Sequence, residues 1–111
     1  MDRIVQYRQI IMQLLDEYAQ YKPSNGDIEM ETIFDTEKDR YQLVAVGWEG
    51  KKRIYGSVIH VDIKNGKVWL QNDSTDSEIA NQLAELGIPR EHIVLAFYHE
   101  RHRPYTGFAV N

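Results

Sequence analysis

From Ile4 onward, Tyr7, Ile11, Leu14, Tyr18 and Tyr21 follow one another at alternating spacings of three and four. That is the period of one helix face. Asp2 stands where an N-cap side chain would accept the first free amide hydrogens. Val5, Ile10 and Leu15 widen the stripe beyond a coiled-coil seam, so the helix is expected to lie on a sheet. Pro23 and the cluster Ser24-Asn25-Gly26 mark its end.

The pattern then changes to the period of strands. Residues 28–35 alternate Ile28, Met30 and Phe34 with Glu29, Glu31 and Asp35, with Ile33 out of step. Residues 41–48 are almost continuously apolar, 53–63 form a long β-branched run, and 67–72 a shorter one. Turn-like segments separate them: Thr36-Glu37-Lys38-Asp39, Glu49-Gly50-Lys51-Lys52 and Lys64-Asn65-Gly66-Lys67. Asn-Gly between two such runs is a strong hairpin signal. With Asn65 and Gly66 as its central residues, Lys64 pairs with Lys67, Asp62 with Trp69, and His60 with Gln71. One face then carries Ile59, Val61, Ile63, Val68 and Leu70, the expected core face. The other carries Val58, His60, Asp62, Trp69 and Gln71. An odd pairing sum in the preceding hairpin would add Val44, Val46 and Trp48 to the core face. It would leave Tyr41, Leu43 and Ala45 with Ile54 and Val58 on the opposite one.

A second helix is expected around Ile79, Leu83 and Leu86, flanked by Ala80. Thr75-Asp76-Ser77-Glu78 has the spacing of a capping box. Gly87, Ile88 and Pro89 have the order of a left-handed C-terminal cap, its apolar contact and a stop. Ile93 to Tyr98 predicts a buried strand, and Tyr105 to Val110 a short tail able to add a last one. The order α-ββββ-α-β(β) describes one α+β domain over residues 1–111, with a mainly antiparallel sheet and both helices on one face.

The composition suits this reading, with 42% hydrophobic and 27% charged residues in 111 and no cysteine. A disulfide framework, a zinc ribbon and a thiol nucleophile are excluded. No apolar run reaches the ~18 residues of a membrane helix and no signal-peptide pattern is present, so a soluble cytoplasmic domain without membrane contact is expected. The net charge of −4 is not that of a protein that grips DNA by phosphate neutralisation, and direct DNA binding by this chain alone is disfavoured. The charge is uneven: residues 1–50 hold 5 basic and 10 acidic side chains, residues 51–111 hold 8 and 7. Two basic clusters, Lys51-Lys52-Arg53 and Arg101-His102-Arg103, are short enough to be solvated turns, or contact points for an acidic partner or a phosphate backbone.

No Walker loop, Gly-x-Gly-x-x-Gly, Gly-x-Ser-x-Gly or His-Glu-x-x-His is present. His60-x-Asp62-x-Lys64 projects three groups from one strand face, an arrangement usable by a metal-dependent nuclease if a second carboxylate joined Asp62. Asp35, Asp39 or Asp73 could supply it; otherwise the arm is a wetted hairpin edge. His99-x-x-His102, with His92 upstream, falls short of a zinc ligand set. Twelve aromatic residues suit a core and a protein interface. No catalytic residue, metal or cofactor is therefore assigned. His60, Asp62, Trp69 and Gln71, with Arg101 and Arg103 of the basic loop, are the partner-binding candidates. The second sheet face, unless covered by the C-terminal tail, is expected to pair with a second copy as a two-fold homodimer.

Several segments carry a resemblance. They are Tyr7-Arg-Gln-Ile-Ile, Tyr21-Lys-Pro, the run from Val46 through Lys51-Lys52-Arg53 to Gly56, and His60-Val-Asp-Ile-Lys-Asn-Gly-Lys-Val-Trp-Leu-Gln-Asn-Asp73. Gly87-Ile-Pro, Ile93-Val-Leu-Ala-Phe and Tyr105-Thr-Gly-Phe-Ala-Val complete the set. Together they resemble the XisI family, whose namesake is the fdxN element excision controlling factor of cyanobacteria. Ala96 stands where the family pattern leads one to expect glycine, and the His99–Arg103 loop departs from it. The resemblance implies an accessory role in programmed DNA excision, beside a partner called XisH and a separate recombinase. It carries no catalytic residues over to this chain.

Overall fold

The computed structural model describes residues 2–21 and 27–111. Helix α1 spans Arg3–Ala19, and Asp2 caps it by accepting from the Ile4 amide at 3.1 Å. Gln20 closes it; the expected stop at Pro23 to Gly26 lies outside the described residues. Tyr7, Ile11, Leu14 and Leu15 are its buried face, whereas Tyr21 is 72% exposed, because the helix ends before the stripe does.

Four antiparallel strands follow: β1 (Asp27–Asp35), β2 (Arg40–Glu49), β3 (Lys52–Lys64) and β4 (Lys67–Asp73). Helix α2 (Ile79–Glu85) then crosses over to β5 (Ile93–Leu95), which pairs parallel to β4. The five strands lie in chain order. This is the expected α+β fold with a mainly antiparallel sheet. Both helices contribute to one core, α1 with its four buried residues and α2 with Ile79, Ala80 and Leu83, against Ile59, Val61, Ile63, Val68 and Leu70.

The Asn65-Gly66 turn forms as predicted, both residues having positive φ (53° and 76°), as a type I′ hairpin loop requires. Lys64 pairs with Lys67 and Asp62 with Trp69. The next pair differs: a register shift between His60 and Val61 leaves Gln71 as an extra residue, and His60 faces Asn72. Ile59 therefore faces Asp73, on the helix-covered side.

The β2–β3 hairpin also differs from expectation. Its pairing is odd near the turn, Trp48 facing Arg53 and Val44 facing Ser57. Past Val58, the extra residue, Leu43 faces Ile59 and Tyr41 faces Val61. Tyr41 and Leu43 are thus buried in the core, and Val44, Val46 and Trp48 share the second face. The single odd register fails because it would have turned Tyr41 and Leu43 away from both helices.

The capping box of α2 is replaced. Glu78 is the N-cap, in the left-handed region at φ 50°, and its side chain caps nothing. Asp73 does the work: one carboxylate oxygen accepts from the Ile79 amide at 3.0 Å, the other from the Thr75 amide and hydroxyl at 2.9 and 2.6 Å. At the other end Ile88 donates to the Leu83 carbonyl and Gly87 to the Ala84 carbonyl, the expected left-handed cap, with Ile88 fully buried. Leu86 lies beyond the helix body and is exposed. The strand predicted to Tyr98 ends at Leu95, and the tail adds no strand but pairs with β5 through an isolated bridge between Val94 and Ala109.

Helix α1 is tied to the β1–β2 turn by Arg8, which donates to both oxygens of Asp39 at 2.7 and 3.2 Å. The Tyr41 hydroxyl donates to Asp39 as well, at 2.8 Å. The bonds from Arg8 hold the Asp39 carboxyl below its ordinary value, against the opposing effect of burial. Burial pushes the Tyr41 phenol up, and its bond to Asp39 adds to that.

Two outcomes are expected from this fold. The contribution of Asp39 is complete above the ordinary carboxylate range and is lost as pH falls through its lowered folded value. The stability gap between wild type and Asp39→Asn, measured by urea unfolding from pH 7 to pH 2, should therefore close in acid. At Gly47 an added Cβ would lie 1.9 Å from the Asp27 carbonyl oxygen, so Gly47→Ala must push β1 and β2 apart. A loss of about 1–3 kcal/mol is expected in the same assay.

Candidate functional site

The second sheet face is built by the two register breaks. Beside β4 and β5, it carries Asp62 with Arg40 and Trp69 as cross-strand neighbours, and Val94 beyond Trp69. Asp62 is only 4% exposed, not the wetted group of a free hairpin arm. Both of its carboxylate oxygens are engaged. His60 Nε2 lies 2.9 Å from Oδ1, Gln71 Nε2 donates to Oδ2 at 3.2 Å, and Arg40 Nε stands 3.8 Å from Oδ1. Gln71 reaches Asp62 as the extra residue of the β4 bulge. Burial of an anion is tolerable here because its lone pairs meet donors and a cation.

Two cations lie over the Trp69 ring. The Lys64 ammonium is 5.3 Å and the Arg103 guanidinium 5.6 Å from its ring centre. Arg103 was expected in an exposed basic loop but is 8% exposed. Its guanidinium donates to the carbonyls of Tyr98 and Val110 at 3.1 and 3.2 Å, pinning loop and tail over the sheet. Among the described residues the Trp69 indole N–H is buried without a partner. Of the six candidates, then, His60, Asp62, Gln71, Trp69 and Arg103 share this region. Arg101 stays exposed on a turn where its amide donates to His99 Nδ1.

The nuclease arrangement does not assemble. Lys64 sits over Trp69. Asp35 accepts from the Glu37 and Lys38 amides, Asp39 binds Arg8, and Asp73 caps α2. Among the described residues no three His, Asp or Glu side chains gather at metal-binding distance. His92 lies on the helix side, its Nδ1 2.6 Å from the Tyr7 hydroxyl, away from His99 and His102.

The other end of the face is open. Rows of cross-strand neighbours run Asp27–Trp48–Arg53, Glu29–Val46–Tyr55 and Glu31–Val44–Ser57. Arg53 lies 5.3 Å from the Trp48 ring and 5.9 Å from the Tyr55 ring, yet these aromatics remain 49% and 73% exposed. Sequence reasoning did not single out Arg40 or this Trp48–Arg53–Tyr55 stack. Arg40 becomes visible only with the even pairing past Val58; the stack follows from odd pairing next to the turn.

The model of the XisI protein family matches residues 1–110. The chain belongs to the XisI family. A XisI-like protein from Anabaena variabilis ATCC 29413 is 45% identical; the match covers 96% of this chain and 98% of that one, with a TM-score of 0.89. The fdxN element excision controlling factor XisI of the same organism is 32% identical over 99% of this chain and 100% of that one, with a TM-score of 0.82. Comparison with curated proteins finds no match. In this XisI-family chain no helix among the described residues is long and apolar enough to cross a membrane.

Removing the Asp62 carboxylate leaves His60 and Gln71 without their hydrogen-bond partner and Arg40 without its ion pair. Asp62→Ala should cost about 1–3 kcal/mol in urea unfolding, as for other broken buried hydrogen-bond sets.

Proposed function

We propose that this protein is a non-enzymatic controlling factor of the XisI type, serving DNA-element excision by binding a protein partner of the XisH type. The observation that supports this reading is that Asp62 is 4% exposed and engaged by hydrogen bonds with His60 and Gln71 and an ion pair with Arg40. The group best placed for metal chemistry is spent on holding the sheet face together. The 32% identical relative named as an excision controlling factor gives the reading its biological setting. A cytoplasmic location and no cofactor go with it. In this reading His60 and Gln71 form the rim of the contact and Asp62 holds them in place. Trp69 and Arg103 position the loop that displays Arg101.

Self-association is the companion reading, supported by the exposed Trp48 and Tyr55 on the open part of the face. A two-fold homodimer would cover them, while the tail occupies the β4–β5 end.

Co-expression with a tagged XisH-like protein tests the first reading: the two should co-purify, and the complex should weaken in Arg101→Glu. Purified protein with Mg²⁺ or Mn²⁺ should leave plasmid DNA intact. Cleavage that disappears in Asp62→Ala would overturn the non-enzymatic reading. Light scattering tests the second: a mass of twice 13.0 kDa is expected, reduced to a single copy in Trp48→Glu.

A further inference from the structure

The two edges of the sheet are treated differently. Edge β5 is short, and the tail lies against it through Ala109, whose amide donates to the Ile93 carbonyl at 2.8 Å. Edge β1 is nine residues long and pairs with β2 from Asp27 to Asp35 without a register break. Among the described residues no further strand covers its outer side. It contains no proline, glycine or lysine. Of the usual means of blunting an edge, β1 lacks short length, bulges, proline and lysine. It relies on charge alone, carried by Asp27, Glu29, Glu31 and Asp35, which repels another acidic strand but not a basic one.

The pleat divides the side chains of β1. Ile28, Met30, Thr32 and Phe34 are half-buried on the helix side, with Met30 and Phe34 packed on the core. Asp27, Glu29, Glu31, Ile33 and Asp35 lie on the open side. The inner neighbours of Asp27, Glu29 and Glu31 are Trp48, Val46 and Val44. None of these three carboxylates has a cation within ion-pair distance among the described residues. A second copy is a poor occupant. Two-fold antiparallel pairing centred on Glu31 sets Glu31 against itself and Asp27 against Asp35. Centred on Met30 it opposes Glu29 to Glu31, and centred on Thr32 it opposes Glu29 to Asp35. Like charges directly opposite are destabilising in every one of these registers.

We propose that the β1 edge is a strand-addition site for a partner protein, and that the added strand alternates Lys or Arg with apolar residues. Its backbone would pair with the free edge of β1. Its cations would lie beside Asp27, Glu29 and Glu31, and its apolar residues beside Met30 and Phe34. This assigns a surface to the protein partner of the reading above and rests on that reading.

The probe is a capped nine-residue peptide alternating Lys and Val, added to the full chain and followed by amide NMR. Shifts and exchange protection are expected along 27–35. Affinity should fall about tenfold or more in a Glu29→Lys, Glu31→Lys double variant. A matching Glu–Val peptide should bind that variant instead. Should the reversed variant fail to fold, Glu29→Gln with Glu31→Gln serves in its place, with a smaller loss. Absence of binding overturns the proposal. So does equal binding of a peptide N-methylated on both edges, since charge alone would then suffice. The same double variant is also carried through the co-purification. If wild type and variant retain the partner equally, the edge assignment falls and the partner reading stands. If wild type retains none, the partner reading falls, and the peptide still decides what the edge accepts.

Discussion

The arrangement of both sheet faces depends on one extra residue, Val58 in β3. The tight turn at Gly50-Lys51 imposes an odd pairing, Glu49 with Lys52, which alone would set Tyr41 against His60 and Leu43 against Val58. The second hairpin, through Asn65-Gly66, requires Ile59, Val61 and Ile63 to face the helices. These demands conflict by one residue, and side chains alternate with a period of two, so a one-residue error exchanges the faces completely. The bulge resolves it. Beyond Val58, Tyr41 and Leu43 join Ile59 and Val61 under α1, and next to the turn Val44, Val46 and Trp48 go to the open side.

A second bulge, at Gln71, links the fold to the candidate site. It rotates Asp73 to the helix side, where its carboxylate caps α2, and leaves Gln71 able to donate to Asp62. The same distortion therefore starts the crossover helix and completes the shell around a buried carboxylate. Asp39 plays a comparable part at the other end, tying α1 to the β1–β2 turn through Arg8 and to the core through Tyr41. Three aspartates that could have shared a metal are each engaged in holding elements together.

Two surfaces stand out among the described residues, the second sheet face and the β1 edge. The tail closes one end of the second face through Arg103, stacked on Trp69 and bonded to the Tyr98 and Val110 carbonyls. The opposite end carries exposed aromatics beside a row of carboxylates that have no ion pair among the described residues. The excess of acidic residues in the first half of the chain is in part this row. Its position along an edge strand turns a compositional bias into a directional one.

Local chemistry was legible in the sequence wherever the cause was local. The period of α1, the Asp2 cap, the Asn65-Gly66 turn with the pairs next to it, and the Gly87-Ile88 stop each depend on residues a few positions apart. The family resemblance was likewise carried by short runs. What the sequence could not decide was set by contacts between distant segments. Thr75 and Glu78 had the spacing of a capping box, but Asp73, delivered by a bulge opposite Ile59, took that role. Arg103 looked solvated until the tail and Trp69 enclosed it. Tyr41 and Leu43 were assigned to the wrong face because a bulge leaves no local signature in a β-branched run. Its position is chosen by the requirement that two hairpins and two helices bury one common surface, and that requirement exists only in the assembled sheet.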